Sequence, residues 1–524
     1  VPFGRRRHDA GGTRTELNLS AKSAALGVAR AIRGGSTEAA AAAAGAGGIA
    51  SKLSGAVSTP SGLFQSALIA LGVTVAALKA APSKDDSSDA GKEGGGQAAD
   101  AKPAPVKSLQ YRFLAVFWLL RCADWLQGPY FYEVYASKTF GGVPASLALI
   151  SRLFLTGFAS TALFGPLVGR MADQYGRRAG TLAFSVIYAL GAASTKSPLL
   201  AVLLAGRVLS GIGTSLLFSA PESWLVGEAM RTDGGGKYLG ETFGLAYAGD
   251  SLVAILAGQL AGAAASTRGP TGPFELSVLF LVAGGILASL LWGENKAEPA
   301  SDGDSKPTIR EAVEVVKGDP KIALVGGVQS LFEAAMYIFV LQWPPAITAA
   351  IASAFGDGVG TPYGTVFSCF MTCCLLGSTV FGRLTKGGVE TESSTGGMLA
   401  VAALAMACGT LASTSAFASL TSAAWAPLAA LVASFFAFEG CVGMYFPSIG
   451  TLRSKYVPDS HRSVIMNLFG IPLNVLVVAV FLSIKKLGVS GALGISTAAL
   501  TAAGACMLKL RGITKGGEPA AAAA

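Results

Sequence analysis

The chain alternates between long apolar runs and short polar segments, and the alternation is regular from Tyr111 onward. Each run is close to the ~20 residues that an α-helix needs to cross the hydrocarbon core of a bilayer. The runs predict twelve membrane-spanning helices, at 111–131, 146–168, 179–195, 199–223, 239–264, 274–292, 321–342, 363–384, 396–413, 425–447, 463–484 and 491–510. The polar stretch 293–320 separates six from six. We therefore predict an all-α polytopic membrane protein with two six-helix bundles, 111–292 and 321–512.

Three further segments lie outside the bundles. Residues 63–81 are almost entirely apolar and just long enough to span, so they predict an extra N-terminal transmembrane helix. Residues 1–62 are rich in Ala, Gly, Ser and Arg and poor in acids, which is typical both of an organelle transit peptide and of a disordered tail. We read 82–110 as a polar linker and 513–524 as a tail.

Composition agrees with a membrane protein. Of the 524 residues, 52% are apolar and 14% are charged. This composition is more hydrophobic than that of an ordinary soluble chain of this length. The net charge of +9 is spread over short loops rather than gathered on one polar domain, which argues against a nucleic-acid partner. The lipid bilayer is the expected surrounding, and we expect a monomer.

The sequence offers few residues that could form a catalytic site. The seven cysteines fall within apolar runs, which argues against a disulfide framework or a structural zinc site. The two histidines, His8 and His461, lie in polar segments, and no nucleophile motif or phosphate-binding glycine loop accompanies them. We expect no enzymatic activity, no cofactor and no metal.

The segment 169–178, GRMADQYGRR, sets the orientation. Its three arginines against one aspartate place it in the cytoplasm, because basic residues in short loops resist translocation. With this assignment most loop Lys and Arg are cytoplasmic, and the predicted external loops hold Lys138, Lys196, Arg268, Lys485 and Lys486. The linker and the C-terminus are then predicted to be cytoplasmic, and residues 1–62 external or in an organelle lumen.

The same segment resembles the loop between the second and third helices of the major facilitator superfamily. The matching positions are Gly169, Asp173, Gly176, Arg177 and Arg178, and Gln174 departs from the basic residue that many members carry. The resemblance implies the major facilitator fold. It also implies that this loop braces the two bundles during conformational cycling.

Other motifs narrow the resemblance to one family. They are ADWLQGPYFYEVY (123–135), LFSAPESWLVGE (217–228), WGEN (292–295), QSLFEAAMYIFVLQWPP (329–345) and GMYFPSIGTLRSKYVP (443–458). Together they resemble the molybdate-anion transporters of the major facilitator superfamily. The resemblance covers about residues 63–512 and implies secondary active uptake of molybdate across the cell membrane, or across an organelle membrane if residues 1–62 are a transit peptide.

Ionisable groups inside a bilayer cost several kcal/mol and normally face a partner or a watery cavity. Arg121 and Asp124 lie mid-depth in the first span, three residues apart, and so share a helical face. Arg207, in the outer half of the fourth span, needs a partner from another helix or a ligand. The remaining candidates for substrate binding or coupling are Asp250, Gln329, Glu333 and Glu439.

Molybdate is a tetrahedral dianion, and forked guanidinium donors suit it. We expect Arg121 to present its charge to the anion, while Asp124 either orients Arg121 as its resting partner or exchanges a proton. Alternatives stay open at this point: the Arg121 and Asp124 pair could simply pack, and Arg207 could serve helix packing or proton coupling. The substrate could also be another oxyanion such as sulfate, a sugar or an organic solute, or the protein could be a transport-inactive sensor or scaffold.

Overall fold

The apolar runs form helices, and the predicted all-α membrane fold is confirmed. The computed structural model describes residues 58–81, 102–296, 308–421 and 423–516. An N-terminal helix, Pro60–Ala80, precedes twelve spans. Spans 1 to 10 are Ala104–Gln127, Leu147–Tyr175, Arg177–Ser194, Leu200–Leu217, Leu239–Arg268, Gly272–Leu291, Pro320–Phe355, Tyr363–Lys386, Thr391–Ala412 and Ala426–Tyr456, and spans 11 and 12 together form Arg462–Gly516, interrupted at Gly488.

Several predicted segments lie wholly or partly outside the described residues. These are most of the tail at 1–62, the linker residues 82–101, residues 297–307 of the central loop and residues 517–524 of the C-terminal tail. Within the described part, nine stretches are long and apolar enough to cross a membrane by length and hydropathy. Two of them, Gly235–Leu291 and Val464–Thr514, each cover two spans.

Most helices are longer than the apolar runs that predict them. Span 4 is the exception, because its helix ends at Leu217 whereas the predicted span continued to residue 223. The helix of span 1 begins at Ala104, so the last residues of the predicted linker are helical, and span 12 continues to Gly516, into the predicted tail. The reason is that apolarity marks only the part at bilayer depth, whereas backbone hydrogen bonding continues through polar residues beyond it. The central loop also contains a helix, Ile309–Gly318, which begins with a capping box formed by Thr308 and Glu311.

The spans are broken or extended at three places. Span 1 continues through a 3-10 turn at Gly128–Tyr130 into the short helix Phe131–Ala136. Span 4 is followed by a second helix, Ala220–Arg231. Spans 11 and 12 are separated at Gly488, whose positive φ of 63° favours a residue without a side chain. A two-residue β-hairpin, Thr139–Phe140 with Val143–Pro144, connects spans 1 and 2.

One end of the bundles gathers loops that the charge pattern predicts to be external. Glu275 accepts from Arg268 at 2.7 Å and pairs with Lys196 at 3.0 Å. We call this end the external face, and the opposite end, which carries residues 169–178, the cytoplasmic face. The N-terminal helix runs from the external to the cytoplasmic face, and its 21 residues cover ~32 Å at 1.5 Å per residue.

The two bundles meet near the external face. Four aromatic pairs join them there, with ring centroids 5.2 to 5.9 Å apart: Phe154 with Phe481, Phe158 with Tyr337, Trp125 with Phe367, and Tyr130 with Tyr363. Spans 5 and 8 also touch backbone to backbone, because a side chain at either Gly258 or Gly364 would overlap the other helix. We call this contact zone the external seam. The protein is therefore closed on its external side.

Candidate functional site

The first polar cluster lies in the N-terminal bundle and joins spans 1, 3 and 5. Arg121 donates to both oxygens of Asp250, from Nε at 3.0 Å and from Nη2 at 2.8 Å. Trp125 Nε1 donates to the same carboxylate at 2.8 Å. Asp124 accepts a 2.6 Å hydrogen bond from the Tyr188 hydroxyl and lies 3.6 Å from Arg121 Nη1. These side chains form the central cluster.

The partner of Arg121 differs from the sequence-based expectation. Asp124 does contact Arg121, but Asp250 on span 5 makes the two-pronged pair. A guanidinium binds a carboxylate best when the two groups meet edge to edge in one plane. A residue on a facing helix can meet this geometry, whereas a side chain three positions along the same helix approaches from one side. Hydropathy gives no information about which facing helix supplies the acid.

The Arg121 guanidinium is enclosed. It lies 4.9 Å from the Trp125 ring and 5.1 Å from the Phe218 ring, and its side chain is 9% exposed. One cation here faces two carboxylates. The ionised central cluster therefore has no positive charge to spare for an anionic ligand.

Arg207 has different surroundings. Its guanidinium lies 4.7 Å from the Phe131 ring, packs against Gly157 of span 2 and interacts with the buried Tyr135 hydroxyl. Among the described residues no carboxylate lies within ion-pair distance of it, and its buried Nε lacks a hydrogen-bond partner. Phe131 in turn contacts Phe154, which belongs to the external seam. Within the described part of the chain Arg207 is thus a cation without a carboxylate counter-charge, one aromatic ring from the bundle boundary.

A second polar cluster lies in the C-terminal bundle. Gln329 and Glu333 on span 7 both accept from Arg453 of span 10, at 3.0 and 3.2 Å. Tyr445 donates to Glu333 at 2.9 Å, and its ring stacks on Phe332. Sequence reasoning missed Arg453, because it stands near the cytoplasmic end of its helix, where a basic residue is ordinary. Its place in the motif GMYFPSIGTLRSKYVP was the available signal.

Glu439 stands apart from both clusters. It is 6% exposed, and the thiol of Cys374 on span 8 donates to its Oε2 at 3.0 Å. The structure therefore groups the seven predicted candidates into four sites. Arg121, Asp124 and Asp250 lie together, Gln329 and Glu333 lie together, and Arg207 and Glu439 are each separate.

The segment 169–178, which the sequence analysis treats as a loop, is mostly helical. Span 2 remains helical through Tyr175, and span 3 begins at Arg177, so Gly176 alone breaks the chain, with a φ of 139°. Asp173 accepts from Arg177 Nε at 2.8 Å within the motif. Seven residues of the motif, 169–175, thus continue the helix past the apolar run.

The WGEN motif holds this break in place. Glu294 accepts from the backbone amides of Arg178 and Ala179, at 2.9 and 3.0 Å, and so caps the first turn of span 3. A carboxylate is favourable there because the first amides of a helix lack partners. Trp292 stacks on Trp224 at 4.0 Å, and Arg177 donates its backbone amide to the Asn295 carbonyl. All these contacts stay within the N-terminal bundle.

Comparison with known proteins identifies relatives of this chain. Residues 89–434 match a family described as sugar transporters with 12 transmembrane helices. The molybdate-anion transporter of Danio rerio is 31% identical over 407 residues, which cover 72% of this chain and 80% of that protein. The one from Takifugu rubripes is 30% identical over 397 residues, covering 71% and 78%. The chain belongs to the molybdate-anion transporter family of the major facilitator superfamily.

Solved structures of other transporters share the fold of this chain. An auto-inhibited peptide transporter of the POT family superposes with a TM-score of 0.60 at 12% identity, covering 80% of this chain and 98% of that one. At this identity the match concerns the fold alone. The fold and the family are those of multi-pass membrane transporters.

Proposed function

We propose that this protein is a secondary active transporter that takes up molybdate across the cell membrane. Its relatives named molybdate-anion transporters support the substrate. The observation that carries the proposal is the state of Arg207: a guanidinium within the membrane-embedded part of the bundle, without a carboxylate partner among the described residues. A partly buried cation within the membrane is costly unless an anion visits it.

Arg207 is the better anchor for a dianion than Arg121. Two guanidinium nitrogens of Arg121 already donate to Asp250. An entering anion would therefore have to displace a two-pronged ion pair. Arg207 offers its charge without such competition, and the Tyr135 hydroxyl beside it can donate to a second oxygen. In this assignment Arg121 and Asp250 form the rigid frame that joins spans 1 and 5.

Asp124 is the proposed coupling group. The central cluster contains one cation and two carboxylates, and Asp250 takes both strong hydrogen bonds of Arg121. Asp124 is left with the weaker 3.6 Å contact and the Tyr188 hydroxyl, so it is the carboxylate that loses least when it takes up a proton. Proton uptake there would offset charge brought in with the anion.

The test is uptake of labelled molybdate into vesicles that contain the purified full-length protein. We expect uptake above empty vesicles, accelerated by an inward proton gradient. Asp124→Asn should keep uptake down a molybdate gradient but remove its acceleration by the proton gradient. Absence of uptake above empty vesicles would overturn the proposal and favour the sensor or scaffold alternative.

Competition distinguishes the remaining substrate alternatives. Unlabelled molybdate should suppress the signal fully. Sulfate, with the same charge and shape, measures how selective the site is among oxyanions, and a hexose should not compete. Stronger suppression by hexose than by molybdate would instead favour the sugar assignment that the family description suggests.

A further inference from the structure

The N-terminal helix is docked on span 8 at both of its ends. Near the external face Phe64 is fully buried, and its carbonyl accepts from the Cys369 thiol at 3.3 Å. Near the cytoplasmic face Arg383 of span 8 donates to the carbonyls of Leu78 and Ala81. A cation is favourable at the carbonyl end of a helix, where the last acceptors lack intrahelical partners. The helix is therefore attached to the C-terminal bundle along its length.

The same helix also reaches the N-terminal bundle, through the side chain of Gln65. Gln65 Nε2 donates to Gln259 Oε1 of span 5 at 2.9 Å. Gln259 Nε2 donates to Ser368 of span 8 at 2.9 Å, and Ser368 donates to the Ile255 carbonyl of span 5 at 2.8 Å. This chain of three hydrogen bonds crosses the external seam where Gly258 and Gly364 bring the two helices into backbone contact.

The hydrogen bonds at the start of this chain are in reach of water. Gln65 and Gln259 line a cavity of about 870 Å³, together with hydroxyls of spans 7 and 8. Water can replace a broken amide pair there, so opening this link does not strand a polar group in lipid. A bond that can break at small cost suits a contact that forms in one state of a transport cycle and is lost in the other.

We propose that the N-terminal helix is a strap: it travels with the C-terminal bundle and, through Gln65 and Gln259, favours the state that is closed on the external side. Opening to the outside must separate spans 5 and 8 at the external seam. The docking to span 8 through Phe64 and Arg383 lies within one bundle and can persist, whereas the Gln65 to Gln259 bond joins the two bundles and must break. The strap matters for function only if the protein is a transporter, as proposed above. Its test measures conformation and therefore does not depend on transport activity.

The test is a distance measurement between spin labels on the two bundles at the external face, in the full-length protein. Asp357→Cys lies in the loop between spans 7 and 8, and Pro198→Cys lies between spans 3 and 4; both positions are exposed and outside the hydrogen-bond chain. We expect Gln65→Leu to raise the ratio of long to short distances by about 2- to 10-fold, the range that loss of one hydrogen bond allows. Thr74→Val, which removes a hydroxyl bonded only within the same helix, should leave the ratio unchanged.

A double substitution makes the test specific. Gln259→Leu should shift the ratio further than Gln65→Leu, because it removes the bonds to both Gln65 and Ser368. Adding Gln65→Leu to Gln259→Leu should then have no further effect. An unchanged ratio in Gln65→Leu, or an equal shift in the Gln259→Leu background, would overturn the proposal.

Protection of Cys369 distinguishes loss of the bond from loss of the helix. Its thiol is fully buried against Phe64 and should stay unreactive towards a small membrane-permeant maleimide in Gln65→Leu. If Cys369 becomes reactive, Gln65→Leu has undocked the helix. The distance measurement is then made with Gln65→Asn, which carries the same amide on a shorter side chain. An unchanged distance ratio in a Gln65→Asn protein that keeps Cys369 protected would again reject the strap.

Discussion

Asp250 accepts two hydrogen bonds from Arg121 across the boundary between spans 1 and 5. Both side chains are about one-tenth exposed, so neutralising Asp250 leaves the buried guanidinium with the weaker 3.6 Å contact to Asp124 in place of its two-pronged ion pair. We expect Asp250→Asn to destabilise the protein by roughly 3–5 kcal/mol. The change should appear as a lower melting temperature in detergent.

Asp124→Asn is the matched control for this prediction. Its carboxylate is 3.6 Å from Arg121 and can be replaced by an amide that still accepts from Tyr188. The melting temperature should change little. Equal destabilisation by the two substitutions would show that Arg121 depends on both acids alike.

Arg207 is expected to set the affinity for the anion. Arg207→Lys keeps the charge but loses the fork and should weaken apparent affinity by about 10- to 100-fold, as expected for loss of charge-assisted hydrogen bonds. Arg207→Gln should abolish uptake at normal membrane levels. Arg152→Gln, at an exposed arginine of span 2, is the control and should transport normally. Unchanged affinity in Arg207→Gln would contradict this role and make Arg121 the leading candidate for binding the anion.

The glycines of the segment 169–178 differ in their tolerance of a side chain. At Gly176 the φ of 139° is unfavourable for other residues, at about 1–3 kcal/mol, and a Cβ would overlap the Glu294 carboxylate that caps span 3. At Gly169 the nearest atom would be 3.9 Å away, an ordinary contact. Gly176→Ala should therefore lower thermal stability, and Gly169→Ala should not. Equal melting temperatures would contradict the assigned role of the break.

Asp173 is expected to act on the rate of cycling. It is 42% exposed and bonds Arg177 next to the break between spans 2 and 3, far from Arg207. Asp173→Asn should lower the maximal uptake rate with little change in apparent affinity for molybdate. Asp233→Asn, at an exposed loop aspartate on the same face, should change neither quantity. A large loss of affinity at an intact maximal rate would count against this role.

The orientation can be tested with two exposed aspartates. Asp233 lies on the cytoplasmic face and Asp357 on the external face. In a background with the exposed Cys408 replaced by serine, Asp357→Cys should react with an impermeant maleimide on intact cells, and Asp233→Cys only after permeabilisation. Labelling of both in intact cells would reject the topology.

The sequence was sufficient for the all-α membrane fold and for the family. Length and apolarity mark helices that cross a bilayer, because every buried backbone group must be bonded within the helix. The charges that stand out in such a chain, such as Arg121 and Arg207, are visible for the same reason. The helix ends at Ala104 and Gly516 were misjudged, because polar residues continue a helix beyond the bilayer without an apolar signal.

Only the tertiary structure decided which charges meet. Asp250 comes to Arg121 from 129 positions away, Arg453 to Glu333 from 120, and Gln259 to Gln65 from 194. In a soluble protein, the polar face of a helix would indicate its rotation. In a membrane protein, lipid and the protein core are both apolar, so the pattern along a span leaves its rotation and its neighbours undetermined, and packing across helices fixes them.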